Sequence, residues 1–299
     1  MRNEHLTYLL RLAALPESLA EHAEITGSDL LLPTQYNFIA PGAATIAATA
    51  LAAAELWKLK TGRSQQVKLD TYATAAAFRP ASDVDTGIGK LQAHIDMRDP
   101  ADAARMQALV KECDVFLQGY RPGSLAARGL SPEALAKSRP GIIYTQLSAW
   151  GHEGPWAMKR GYDTVVQSFN GMAWRPNDEK PAFLPGSPHD YLAGYLLAFG
   201  TMVALHRRAT VGGSWMVRTS LAGTGEWFRA LPRFTPEQYN NLPAELHADV
   251  LQRLLMEHQS PWGRVTHLAP AAQLSETPGH WVRPAVPRGT QMAAWPARA

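Results

Sequence analysis

The sequence predicts an α/β fold, a parallel Rossmann-like sheet with flanking helices. Three observations carry that expectation. Between residues 92 and 148, short strand-like runs alternate with short helical runs, the pattern of a parallel sheet built by crossover connections. A unit of helix, glycine turn and strand recurs at an offset of 150 residues. The composition, 46% hydrophobic and 18% charged, supports a sizeable core and excludes wholesale disorder. A length of 299 residues gives a soft expectation of two domains.

The elements follow in order. An Ala/Leu-rich helical run spans 43–60 and a second spans 191–208, each closed by a basic cluster (Lys58 and Lys60; Arg207 and Arg208) that suits a helix C-terminus. After each comes a glycine turn and a short strand around Val67 or Val217. Over 62–79 against 212–229, the pairs Gly62/Gly212, Ser64/Ser214, Val67/Val217, Thr74/Thr224, Phe78/Phe228 and Arg79/Arg229 are identical. That is six of 18 positions, where composition gives roughly one. Between the copies, Gln92–Asp96 reads as a strand, and Asp99-Pro100 as an N-cap followed by proline at the first helical position. A helix over 101–112, a strand over 115–118, a short helix opened by Ser131-Pro132-Glu133 and a strand over 142–148 complete the stretch. Beyond Pro232 we expect one amphipathic helix at about 236–257, then a Pro-rich, Trp-containing extension lying over its own domain or a partner.

Composition narrows the function. A net charge of +3 without a dense basic run does not argue for nucleic acid and is compatible with an anionic small ligand. The single cysteine, Cys113, excludes an internal disulfide and a Cys-based zinc site and suits a reducing cytoplasm. Glu4, His5 and Glu17 interrupt any signal-peptide core, and the most apolar run, 43–54, is shorter than the ~20 residues of a membrane span. The expectation is a cytoplasmic protein with no membrane association. The G-x-G runs at 87–92 and 223–228 lack the third glycine of a dinucleotide site. No phosphate-binding P-loop, G-x-S-x-G elbow or H-E-x-x-H occurs, and the ten histidines show no metal-ligand spacing, so no metal is expected.

Three constellations remain. Pro185-Gly186-Ser187-Pro188-His189-Asp190 precedes a helix expected to begin at Tyr191, with Leu192, Leu196, Phe199 and Val203 as its apolar stripe and Gly194 and Gly200 for close approach. Asp190 at a helix N-terminus is most simply a cap; the sharper reading is a carboxylate nucleophile. Its offset-150 counterpart is Ala40, so only the second copy carries the acid. Arg160-Gly161-Tyr162-Asp163 follows a glycine-rich turn, and Gly119-Tyr120-Arg121-Pro122-Gly123 follows a strand, at the carboxyl end where open α/β sheets bind ligands. An ordinary loop and a surface arginine are the plainer readings of these two.

Together these segments resemble the class III CoA-transferase (CaiB/BaiF) family. The stretches that carry the likeness are IDMRDPADAARMQALVKECDVFLQGYRPGSLAARGLSPEALAKSRPGIIYTQLSAWGHEGPW at 95–156, GYDTVVQSFNGM at 161–172, LPGSPHDYLAGYLLAFGTMVALHRR at 184–208 and GGSWMVRTSL at 212–221. The run KLKTGRSQQVKLD within 24–79 resembles a second copy of the family's helix-turn-strand unit. No counterpart of the family's opening strand and Ala-Gly-Pro helix is found, so the expected fold is an incomplete family III type with a seam near residue 80. Residues 1–80 then form a degenerate partial repeat, and 81–299 a CoA-transferase-like α/β region with its C-terminal extension.

The resemblance implies transfer of coenzyme A between an acyl-CoA and a carboxylic acid, with Asp190 as nucleophile and an aspartyl-CoA thioester as intermediate. It implies CoA contacts at Ile95, Asp96, Met97, Arg98, Gly119, Tyr120, Arg121, Arg160, Gly161, Tyr162 and Asp163, with Arg98 and Arg160 as phosphate contacts. Coenzyme A is then a substrate and no cofactor is permanently bound; a homodimer is implied as well. The racemase branch has a histidine where this chain has Tyr162, and a tyrosine is a poor acid–base group near neutral pH. That favours transfer over an acyl-CoA racemase or epimerase; a catalytically silent CoA-binding or scaffold protein is the alternative of a different class.

Overall fold

The computed structural model describes residues 2–79, 91–174 and 180–296; the expected seam near residue 80 and the G-x-G at 87–89 lie outside the described residues. The offset-150 repeat is a structural repeat. Its first copy is α2 (Ile39–Thr61), β2 (Val67–Asp70) and α3 (Thr71–Ala77), following α1 (Arg2–Leu12) and β1 (Ala23–Thr26). Its second is α7 (Pro188–Thr210), β5 (Trp215–Ser220) and α8 (Leu221–Arg229). Between them lie α4 (Pro100–Glu112), β3 (Val115–Gln118), α5 (Pro132–Ser138), β4 (Ile143–Ser148) and α6 (Asp163–Phe169). The chain continues through α9 (Pro236–Tyr239), α10 (Ala248–Leu254), β6 (Leu255–Ser260), β7 (Gly263–Leu268) and β8 (Ala272–Leu274).

The expected parallel sheet with flanking helices is present, and a second sheet forms around the first copy of the repeat. β3, β4 and β5 are parallel throughout, in that order, while β1 and β2 are parallel and β8 joins β2 antiparallel. β6 and β7 form a separate hairpin. Gln92–Asp96 is not a strand: it runs beside the C-terminal extension, where the Gln291 N–H donates to the Gln92 carbonyl at 3.0 Å. Alternation predicts an extended segment, but the partner is the tail and not the sheet. The helix expected at 236–257 is also absent as one piece. Pro243 lacks an N–H and its ring clashes with the preceding turn, so the segment splits into α9 and α10, and 255–260 becomes β6.

The long helices pair in the core. α2 runs well past the apolar run 43–54 at both ends, and by length and composition alone it is long and apolar enough to cross a membrane; most of it is buried inside the molecule. Its alanines let α7 approach closely, and the Thr49 hydroxyl donates both to the Thr45 carbonyl (2.8 Å) and to the Tyr195 carbonyl on α7 (3.2 Å). Phe78 and Phe228, the repeated phenylalanines, both reach Phe38, with ring centroids 5.9 and 6.4 Å away. They are 0% and 1% exposed and belong to one cluster that joins residues on both sides of position 80. Complete burial of such a side chain contributes roughly 1.5–3 kcal/mol.

The parallel sheet β3–β4–β5 is covered on both faces. Phe116 and Tyr144 pack under α4 and α5 with Val110, Leu130 and Leu135. On the other face Gly200 of α7 lies against Val217, where a Cβ would meet a methyl at 2.6 Å, and the Thr145 and Thr201 hydroxyls are 3.1 Å apart. Gly194, also expected to serve close approach, faces open space. Because α4, α5 and α7 each run back before the next strand, their N-termini gather at the carboxyl edge of the sheet.

Candidate active site

α7 begins three residues earlier than Tyr191. Pro188 occupies its first position, which proline fits because its fixed φ is helical and its missing N–H is not needed there. Asp190 is therefore the third helical residue, not the N-cap. The turn before it is pinned to the first repeat: the Ser187 N–H donates to the Phe78 carbonyl at 3.1 Å. Gly186 has φ 92°, and a Cβ there would lie 2.2 Å from the same carbonyl oxygen. Only glycine fits both constraints.

The first N–H groups of a helix have no partner within it. Asp163, at the start of α6 and 3% exposed, supplies one from outside: its Oδ2 accepts from the Asp190 backbone N–H at 3.0 Å. Its Oδ1 accepts from the Gln167 side-chain amide, whose own oxygen accepts from the Leu184 N–H at 2.8 Å. Asp163 and Gln167 thus tie α6 to the turn that presents Asp190. Val166, Ala193 and Leu221 pack beneath them, with Leu147, Ala149 and Trp150 from the exit of β4.

Asp190 itself is exposed at the start of the helix. Partial loss of water around it, and then the nearby Asp163 charge, push its carboxyl up to about 6. It is mostly ionised at neutral pH and more basic than an ordinary aspartate, both useful in a nucleophile.

His189, next in sequence, faces inward and is fully buried. Its ring lies edge-on to Phe228, with centroids 5.1 Å apart, and Gly225 makes room for it: a Cβ there would come within 2.4 Å of Nε2. With the Asn170 amide turned so that its NH2 donates to the Val166 (2.9 Å) and Gln167 (3.0 Å) carbonyls, its oxygen accepts from His189 Nε2 at 3.1 Å. That orientation is assigned from the hydrogen-bond network. His189 Nδ1 then stands 3.8 Å from Asp163 Oδ1 without a hydrogen bond, and burial lowers the imidazole pKa and keeps it neutral. His189, Asn170 and Gln167 are supporting residues that sequence reasoning missed. All three lie in segments it quoted without giving them a role, because which side chain turns inward depends on contacts between α6, α7 and α8.

Of the other expected residues, only Asp163 touches Asp190, and it does so with its carboxylate turned inward. Arg160 is exposed; its carbonyl accepts from Trp150 Nε1 at 3.1 Å. Gly161 packs where a Cβ would lie 2.7 Å from Ala149, and Tyr162 is 64% exposed. Gly119, Tyr120 and Arg121 leave the end of β3 exposed, the Tyr120 N–H donating to Gln118 Oε1 at 2.6 Å. Ile95, Asp96, Met97 and Arg98 precede α4; the Met97 carbonyl accepts from Arg128 at 2.9 Å. Arg98 forms a two-pronged pair with Asp96 (2.9 and 2.8 Å), which holds the Asp96 carboxyl well below the usual range. Arg121 and Arg160 meet no carboxylate among the described residues. Among the described residues no group of three or more His, Cys, Asp or Glu side chains could hold a metal.

Comparison with known proteins reaches up to 78% of the chain. The family model for CoA-transferase family III matches residues 84–239. An acyl-CoA transferase of Gibberella moniliformis is 30% identical over 246 residues, covering 78% of this chain and 39% of that protein. A probable fatty acyl-CoA transferase of Mycobacterium tuberculosis, Rv3272, is 32% identical over 135 residues, 44% of this chain and 34% of its own. Succinyl-CoA–D-citramalate CoA-transferase of Chloroflexus aurantiacus is 34% identical over 125 residues, 41% of this chain and 31% of its own. The crystal structure of Rv3272 superposes with a TM-score of 0.46 at 29% identity, over 48% of this chain and 41% of that one. The chain thus spans between about a third and two fifths of the length of these curated relatives. With the family match covering more than half of its residues, this chain belongs to CoA-transferase family III.

Proposed function

We propose that this protein transfers coenzyme A between an acyl-CoA and a carboxylic acid through an aspartyl-CoA thioester on Asp190. The observation that carries the reading is Asp190 itself: an exposed carboxylate at a helix N-terminus, on the carboxyl edge of a parallel sheet, with its backbone fixed by Asp163. Relatives named as CoA-transferases for fatty acyl, succinyl, citramalate and oxalate substrates support the reaction class.

The Asp190 carboxylate attacks the thioester carbonyl and expels the CoA thiolate, leaving a mixed anhydride. The thiolate attacks the aspartyl carbonyl, releasing the first acid as its carboxylate and leaving CoA on Asp190. An incoming carboxylate attacks that thioester, the thiolate departs again and then takes the acyl group, and Asp190 is restored. Every step exchanges one acyl bond for another, so neither a redox partner nor a metal is needed. Arg160 and Arg121 are the cations ready for CoA phosphates, whereas Arg98 must first release Asp96. A dimer and a cytoplasmic location belong to the same proposal.

The test is transfer of CoA from a panel of acyl-CoAs to isotope-labelled carboxylic acids. Asp190→Ala and Asp190→Asn are expected to lower turnover at least a thousandfold while CoA binding changes less than threefold. Turnover that survives both substitutions refutes the reading. Wild-type protein that binds CoA and transfers nothing identifies a silent binding protein instead.

A further inference from the structure

A row of polar side chains crosses the opposite face of the parallel sheet from α7. Gln118 of β3, Gln146 of β4 and Arg218 of β5 are register partners near the carboxyl ends of their strands. With Tyr144, Ser131 and His152 they line a cavity of about 80 Å³. Three of these groups are satisfied by the protein. Gln118 Oε1 accepts from the Tyr120 N–H, the Tyr144 hydroxyl donates to the Leu130 carbonyl at 3.2 Å, and Ser131 Oγ caps α5 by accepting from the Ala134 N–H at 3.2 Å.

The other three are not. Gln146 is 5% exposed, and its side-chain amide makes no hydrogen bond among the described residues. His152 Nε2 is buried without a partner. Arg218 meets no carboxylate within ion-pair distance among the described residues; Glu133, on the first turn of α5, feels its charge but is engaged by Ser131 and by its own backbone N–H. Leaving the buried His152 Nε2 unmatched is costly, and the Gln146 amide and the exposed Arg218 guanidinium stand free beside it, so one occupant can be shared by all three. Burial, and then Arg218, lower the His152 pKa, so its ring is neutral. A cation is repelled by Arg218, and an apolar group leaves Gln146 and His152 unmatched. A planar or tetrahedral oxyanion answers all three, and the volume accommodates one such group.

We propose that this cavity recognises a terminal oxyanion, a carboxylate or a phosphate, of a ligand lying along the carboxyl edge of the sheet, with Arg218 as counter-charge and Gln146 and His152 as donors. The proposal rests on the CoA-transfer reading only for what the rest of that ligand is. Two sources share the chemistry: a phosphate of CoA, and the free carboxylate of a dicarboxylic acid.

The experiment titrates the full chain with inorganic phosphate and with malonate, following His152 by NMR and heat by calorimetry. Saturable binding is expected, with movement of the His152 resonances. Arg218→Gln is expected to weaken binding at least tenfold and Glu133→Gln to strengthen it; both positions are exposed, and thermal melts check their folding. Absence of binding, or binding indifferent to Arg218→Gln, overturns the proposal and leaves the cavity to water. Two further pairs separate the sources. If preference for CoA over its 3′-dephospho form disappears in Arg218→Gln, the group is a CoA phosphate. If preference for succinate over butyrate disappears, it is the acid's second carboxylate. Preferences that survive the substitution in both pairs also overturn the proposal. None of these readings requires turnover, so binding here without transfer at Asp190 refutes the proposed reaction and not the pocket, and transfer without binding does the reverse.

Discussion

Asp190 and His189 are neighbours in sequence with opposite fates. One presents a carboxylate to solvent at about 6, and the other is a neutral ring sealed against Phe228. Burial is the larger cause in each, Asp163 acts on both, and its removal has a definite sign. Asp163→Asn takes away a negative charge that favours protonated Asp190, so the ionisation midpoint falls below 6. In wild-type protein the first-turnover rate is expected to rise with pH through about 6, and in the variant the rise comes at lower pH; single-turnover profiles check this. Stability runs in the reverse direction. A carboxyl raised from 3.8 to about 6 on folding binds its proton more tightly in the folded state, so this group's contribution falls as pH climbs through that interval. Asp190→Asn is therefore expected to raise the melting temperature at pH 7.5, with the gain disappearing below about pH 4. The sequence offered Asp190 and Asp163 as candidates. It did not reveal that Asp163 turns inward, because that depends on a contact between α6 and α7 across 27 residues of chain.

At the scale of elements, the repeat is what local pattern showed best. The helix-turn-strand units at 39–70 and 188–220, each followed by a short helix and a buried phenylalanine, emerge where the offset-150 comparison placed them. Caps were legible because they are local: Asp99 Oδ1 accepts from the Ala101 N–H at 2.7 Å, and Ser131 caps α5. The 92–96 segment was misread because a strand needs a partner, and its partner is the tail around Gln291. The 236–257 helix was misread because an apolar period was given more weight than Pro243. Phe78 joins the repeats, stacking on Phe38 and touching Tyr191 and Tyr195 of α7, while its carbonyl holds the turn before Asp190. Phe78→Ala is expected to cost about 3–5 kcal/mol in urea unfolding and to lower the transfer rate as well. Phe228→Ala should match the stability loss and also loosen His189.

Across the whole molecule, one sheet edge collects the chemistry. The ends of β3, β4 and β5 and the starts of α4, α5 and α7 bring the 95–98, 119–121 and 160–163 segments to the side where Asp190 emerges. The C-terminal extension lies over its own chain, with Trp295 Nε1 donating to the Leu109 carbonyl on α4 at 3.0 Å and Trp281 Nε1 to the Leu268 carbonyl at 3.0 Å. The parallel sheet could be read from alternating elements. Its division from the β1–β2–β8 sheet could not, because β8 returns to β2 from some 200 residues away. The central claim is that Asp190 becomes covalently charged with CoA. Incubating the protein with acyl-CoAs and hydroxylamine, then mapping the peptide that contains Pro188-His189-Asp190 by mass spectrometry, tests it directly. A hydroxamate on Asp190, absent without acyl-CoA and absent in Asp190→Asn, is the expected result. Folded protein that binds CoA yet leaves Asp190 unmodified across the panel contradicts the account.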